Sequence, residues 1–67
     1  MNIYVNDKPT EVLQDTSIHS LLKFMKIDSF QGIAIGINDQ VIPRKEWDLK
    51  SLKENDKVLL IRASQGG

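Results

Sequence analysis

A chain of 67 residues without one cysteine has few ways to hold a fold together. A domain of this size buries only about 60% of the surface its unfolded chain exposes. Small folds therefore often add disulfides or a structural metal. Here a disulfide and a thiolate site are both excluded, and the lone histidine, His19, excludes a histidine cluster. Stability has to come from apolar packing in a single domain, and 40% apolar residues are enough to attempt it. There is no internal repeat, low-complexity segment or second domain.

Periodicity divides the chain into short elements. Ile3 and Val5 alternate with Asn2, Tyr4 and Asn6, the pattern of a strand. Asn6, Asp7, Lys8 and Pro9 read as a turn, and Thr10 to Leu13 as the returning strand of a hairpin. Asp15, Thr16 and Ser17 are candidate helix N-caps. Ile18, Leu21, Leu22 and Met25 then follow at the spacing of one helical stripe, with His19, Ser20 and Lys23 off it. The helix is expected to end near Lys26 or Ile27. Ile33, Ile35 and Ile37 predict a third strand, Asn38 to Gln40 a turn, and Val41 and Ile42 a short return strand stopped by Pro43. Arg44 to Leu52 is a connector with Trp47, Leu49 and Leu52 as expected core anchors. Asn55 and Asp56 predict a turn, and Val58 to Ile61 the strongest strand. The order is strand, strand, helix, strand, short strand, strand. With the last strand beside the first, it predicts an α+β β-grasp: residues 1–62 as the domain, one main helix on one face of a mixed sheet, and 63–67 as a flexible tail.

The function classes narrow by elimination. Nine basic and nine acidic side chains balance, without the basic excess of a nucleic-acid binder. No run approaches the roughly 20 apolar residues of a membrane span. The start is strand-like rather than a basic stretch followed by an apolar run, so a soluble cytoplasmic protein is expected. Self-sufficient catalysis lacks parts: there is no cysteine, no glycine-rich elbow around a serine, no phosphate-cradling loop and no lysine in an apolar run. His19 reads as a solvent-facing helix residue. No catalytic or metal-binding residue is assigned, and no bound cofactor.

The end of the chain is unusual. Gly66 and Gly67 are half of its four glycines and follow its strongest strand. Five residues beyond Arg62 reach roughly 17 Å when extended. Glycine lacks Cβ, so such a tail can enter a narrow channel in another protein. A frayed terminus is the ordinary reading of two glycines alone.

What precedes them changes the weighting. The block Ile33 to Trp47, with its alternating strand, Asn38-Asp39 turn and Pro43-Arg44-Lys45-Glu46-Trp47 run, resembles the central block of ThiS-type sulfur carriers. Leu52, the Asn55-Asp56 turn, the strand to Arg62 and the Gly66-Gly67 end also fall where that family has them. The resemblance spans essentially the whole chain. Asn55 departs from the family's usual glycine, but asparagine tolerates the left-handed conformation. The resemblance implies that Gly67 is adenylated by a ThiF-type partner using ATP and Mg, and converted to a thiocarboxylate with sulfur from a cysteine desulfurase relay. The sulfur then passes to a ThiG-type thiazole synthase for thiamine. The carrier itself would be a monomer.

The small subunit of molybdopterin synthase is the nearest competing reading. A ubiquitin-like protein modifier and a β-grasp binding module with an irrelevant tail are the others. If Val58 and Leu60 point to the helix in the expected sheet, Leu59 and Ile61 point away from it. Tyr4 shares that open face, flattened by Ala34 and Gly36, making Tyr4, Leu59 and Ile61 candidate docking residues. With the opposite facing, Val58 and Leu60 would be the docking pair. Pro43 reads as a strand terminator and Trp47 as a core cover, while Arg44 fits either a structural or a docking role.

Overall fold

The amino-terminal hairpin turns more tightly than its composition suggests. In the computed structural model, which describes residues 1–63, β1 spans Asn2–Val5 and β2 spans Lys8–Glu11. Only Asn6 and Asp7 turn the chain, with φ of 50° and 69°. A two-residue turn with positive φ at both positions matches the twist of the strands it joins. Lys8 and Pro9 therefore belong to β2 rather than to the turn. Pro9 is tolerated because β2 is an edge strand, where a missing N–H breaks no interior ladder. The expected strand from Thr10 to Leu13 also stops early. Val12 remains buried and exchanges bonds with Met1, its N–H donating to the Met1 carbonyl at 2.8 Å, whereas Leu13 is 82% exposed.

Helix α1 spans Ile18–Phe24. Ser17 is its cap, its Oγ accepting from the Ser20 N–H at 3.0 Å. The end is set by Lys26 at φ 63°. The Lys26 N–H donates to the Lys23 carbonyl and the Ile27 N–H to the Leu22 carbonyl, the paired bonds of a Schellman ending. This turn redirects the apolar stripe. Ile18, Leu21 and Leu22 are buried as expected, but Ile27 takes the fourth core position and Met25 stays partly exposed.

Strands β3 (Ile33–Ile37), β4 (Gln40–Val41) and β5 (Lys57–Arg62) complete the sheet. Asn38 and Asp39 form a second two-residue turn with φ of 50° and 72°. Gln40 thus opens β4 instead of closing the turn. Ile42 lies past the end of β4, and its N–H donates to the Ile35 carbonyl at 2.8 Å. The strand order is β2-β1-β5-β3-β4, with β1 and β5 parallel and the other pairs antiparallel. One helix against a mixed sheet whose last strand lies beside its first is the β-grasp fold.

The core joins Ile18, Leu21 and Leu22 of the helix to Ile3, Val5, Ile35, Ile37 and Val58 of the sheet. Each fully buried side chain of this size is worth about 1.5–3 kcal/mol relative to exposure. The connector closes one end of this core. Pro43 caps a 3₁₀ turn at Arg44–Glu46, and Trp47 follows, 2% exposed. The Trp47 indole N–H donates to the Ile42 carbonyl at 2.9 Å, so its polar edge is satisfied inside. Leu52 is buried too. Leu49, expected as a third anchor, is 81% exposed, because the chain leaves the 3₁₀ turn with that side chain outward.

Candidate functional site

Strand alternation builds one apolar face. Val58 is buried and Leu60 packs against the core, so Leu59 and Ile61 emerge on the side away from α1, at 54% and 52% exposure. The register sets their neighbours: Gly36 lies opposite Leu59, and Ala34 opposite Ile61. Tyr4 is half-buried and registers with Lys57 in the parallel β1–β5 pair, on the same face as Leu59. The structure thus brings Tyr4, Leu59 and Ile61 onto the open face.

It adds a residue that sequence reasoning missed. Val41 lies opposite Gly36 and is 81% exposed. A Cβ at Gly36 would meet the Leu59 Cβ only at 4.0 Å and the Gln40 carbonyl oxygen at 3.5 Å. The bare glycine is therefore the floor of a shallow depression between Val41 and Leu59. Counting back from the two-residue turn would have found Val41, since such a turn pairs Gln40 with Ile37 and Val41 with Gly36.

The far end of β5 is held from two sides. β1 has already turned away at Asn6, and the Asn6 side chain takes its place. Its Oδ1 accepts from the Leu60 N–H at 2.8 Å and its Nδ2 donates to the Leu60 carbonyl at 3.2 Å. On the other side, the Ala63 N–H donates to the Gly32 carbonyl at 2.7 Å. The candidate residues Gly66 and Gly67, and the tail beyond Ala63, lie outside the described residues.

The remaining candidates have structural partners. His19 is not a free surface residue: its ring meets Phe30 edge-on at 5.1 Å, and Nδ1 lies 3.6 Å from Asp48 Oδ1. Phe30 also packs edge-on against Trp47 at 5.7 Å, and the Arg44 guanidinium sits 5.7 Å from the Phe30 ring centroid. Arg44 therefore has a cation–π partner within the chain. The nearby hydroxyls of Ser17 and Ser20 bond to each other. Among the described residues no three His, Cys, Asp or Glu side chains group as metal ligands, and no helix is long and apolar enough to cross a membrane. A groove of about 560 Å³ lies apart from the open face, between the chain after β2 and α1, lined chiefly by Met1, Val12, Leu13 and Phe24.

Comparison with known proteins agrees with this geometry. A model of the ThiS family matches residues 2–67. The sulfur carrier protein ThiS of Escherichia coli (strain K12) is 32% identical over 68 aligned positions, covering 100% of both chains. A crystal structure of the thiamine biosynthesis protein ThiS from Geobacter metallireducens superposes with a TM-score of 0.85 at 28% identity, with 100% of both chains covered. A solution structure of a thiamine biosynthesis protein from the same organism gives 0.82 at 28% identity, covering 100% of this chain and 88% of that one.

Proposed function

The chain belongs to the ThiS family, and from that membership we propose that its working group is the carboxylate of Gly67. It is a sulfur carrier of thiamine biosynthesis and not a catalyst. The observation that carries the Gly67 reading is the full-length match to a sulfur carrier, which takes in the Gly66-Gly67 end.

The chemistry follows from what a carboxylate lacks. Oxide is not a viable leaving group, so the carboxylate has to be activated before sulfur can enter. In a ThiF-type partner with Mg-ATP, a Gly67 oxygen attacks the α-phosphorus and pyrophosphate leaves. The terminal sulfur of a persulfide, supplied through a cysteine desulfurase relay, then attacks the acyl carbon, and AMP departs with the oxygen. A thiol of the relay reduces the S–S bond of the resulting acyl disulfide, ending as a disulfide itself, and the thiocarboxylate that remains donates its sulfur to thiazole synthase. With no cysteine in the sequence, the chain has no thiol on which to hold sulfur as a persulfide. The reaction belongs in a reducing compartment such as the cytoplasm.

The folded part of the chain supplies docking. Tyr4, Leu59 and Ile61, with Val41, present apolar area beside the strand that leads to the tail. Contiguous apolar surface on a small protein marks an interaction site. A partner seated there would receive the last residues close to its own catalytic centre.

The test is a mass measurement. Incubation with the cognate adenylating enzyme, Mg-ATP and a sulfur source should raise the mass by the difference between one sulfur and one oxygen, mapped to Gly67. An adenylate should accumulate when sulfur is withheld. Removing Gly66 and Gly67 should abolish both species while leaving the unfolding curve unchanged. Isopeptide conjugates to lysine in place of the thiocarboxylate would refute the proposal.

A further inference from the structure

The last backbone bond before the tail is made to a turn, not to a strand. Ile33 and Arg62 are the final registered pair of β3 and β5, and the Ala63 N–H then reaches the Gly32 carbonyl at 2.7 Å. Gly32 has φ +74°, a conformation that L side chains rarely adopt. Its turn is closed by the Ile33 N–H donating to the Phe30 carbonyl at 3.3 Å. Phe30 in turn is wedged edge-on between His19 and Trp47, with Arg44 against its ring. Trp47 is a core residue, so a continuous set of contacts runs from the core through Phe30 and Gly32 to Ala63.

This brace matters because β5 has lost a neighbour at that point. Its parallel pairing with β1 registers only Tyr4 with Lys57 and Val5 with Val58, and the Asn6 side chain extends support to Leu60. Past Leu60, the brace at Gly32 and the adjoining β3 ladder hold the strand. Strand ends with few partners open locally at little cost in free energy. Four residues follow Ala63, with a reach of at most roughly 14 Å, so Ala63 is the root from which Gly67 is delivered.

We infer that Phe30 and Gly32 are positioning residues for the carrier end: they fix the direction in which the chain leaves β5 and so place Gly67 for attack. The inference rests on the Gly67 reading above. Arg44 and Trp47, from the block that marks the family resemblance, act here by holding Phe30.

Three variants of the full chain test it: Phe30→Ala, which removes the wedge, Ala63→Pro, which removes the donor, and Phe30→Tyr, which keeps the ring. Steady-state adenylation by the cognate enzyme separates docking from placement. For Phe30→Ala and Ala63→Pro, the KM for the carrier should stay within about twofold, because the open face is untouched, while kcat falls about tenfold from misplacement of the reacting group. Phe30→Tyr should keep kcat near the wild-type value. Hydrogen exchange should show the Ala63 amide protected in the wild type and exposed in Phe30→Ala, with the central amides of the β3–β5 ladder still protected. An unprotected Ala63 amide in the wild type overturns the inference. So does an unchanged kcat in both disruptive variants, or a loss confined to KM. A wild-type chain that is never adenylated overturns the Gly67 reading and this inference with it. An adenylated wild type with indifferent variants overturns only this inference.

Discussion

Replacing Asn6 tests whether a turn side chain does the work of a strand. Its amide makes two bonds to Leu60, one accepted at 2.8 Å and one donated at 3.2 Å, and its backbone sits at φ 50°. A net hydrogen bond is worth about 0.5–1.5 kcal/mol, and this pair is solvent-exposed, so the lower part of that range applies. Asn6→Gly keeps easy access to positive φ and loses both bonds, which gives a loss of about 1–2 kcal/mol. Asn6→Ala loses the same bonds and adds about 1 kcal/mol for a Cβ in the left-handed region, for a total of about 2–3 kcal/mol. For a domain of this size each kcal/mol lowers the melting temperature by about 4–8 °C. Asn6→Asp keeps the acceptor for the Leu60 N–H and loses the donor, so it should fall between the wild type and Asn6→Gly. Urea unfolding with a shared m value measures the series, and hydrogen exchange at the Leu60 amide reports the local effect. Asn6→Ala and Asn6→Gly both within about 0.5 kcal/mol of wild type, a change no larger than an ordinary surface substitution, would refute the reasoning. An unchanged Leu60 amide would do the same.

Leu59→Glu and Ile61→Glu should leave urea stability within about 1 kcal/mol of wild type, as at other exposed positions, while titration calorimetry shows weaker binding to the activating enzyme or thiazole synthase; Val58→Glu, buried in the core, should unfold the chain, and the reverse pattern would invert the assignment of the two faces. Trp47→Phe leaves the buried Ile42 carbonyl without its 2.9 Å donor and opens space in the core, so chemical denaturation should show a loss of about 2–4 kcal/mol. Lys26→Gly relieves a left-handed residue at the Schellman position and should raise the melting temperature, with a gain of about 0.5–1 kcal/mol; a loss would show that the Lys26 side chain contributes more than its backbone costs.

Local pattern carried most of the fold. Alternation at Ile33, Ile35 and Ile37, the unbroken apolar run Val58 to Ile61, and the spacing of Ile18, Leu21 and Leu22 identified the sheet, the helix and most of the core. Period two puts Leu59 and Ile61 on one side of the strand and Val58 and Leu60 on the other, but in an all-apolar run only the fold decided that Leu59 and Ile61 join Tyr4 on the open face. Where the period lapses, the pattern no longer decides. Leu49 and Leu52 are the same residue type in one irregular connector, yet only Leu52 is buried, since the path after the 3₁₀ turn sets the direction. Met25 yields its core place to Ile27 because one residue at φ 63° ends the helical spacing.

Long-range partners were equally out of reach of pattern. Asn6 reads as a turn residue in any local window, and its bonds to Leu60 span 54 positions. Phe30 reads as a loop aromatic until His19, Arg44 and Trp47 close around it. Sequence period states which side of its own element a residue occupies. Which residues meet across the gap between elements is settled only when the backbone closes, because contact depends on three-dimensional register rather than on spacing along the chain.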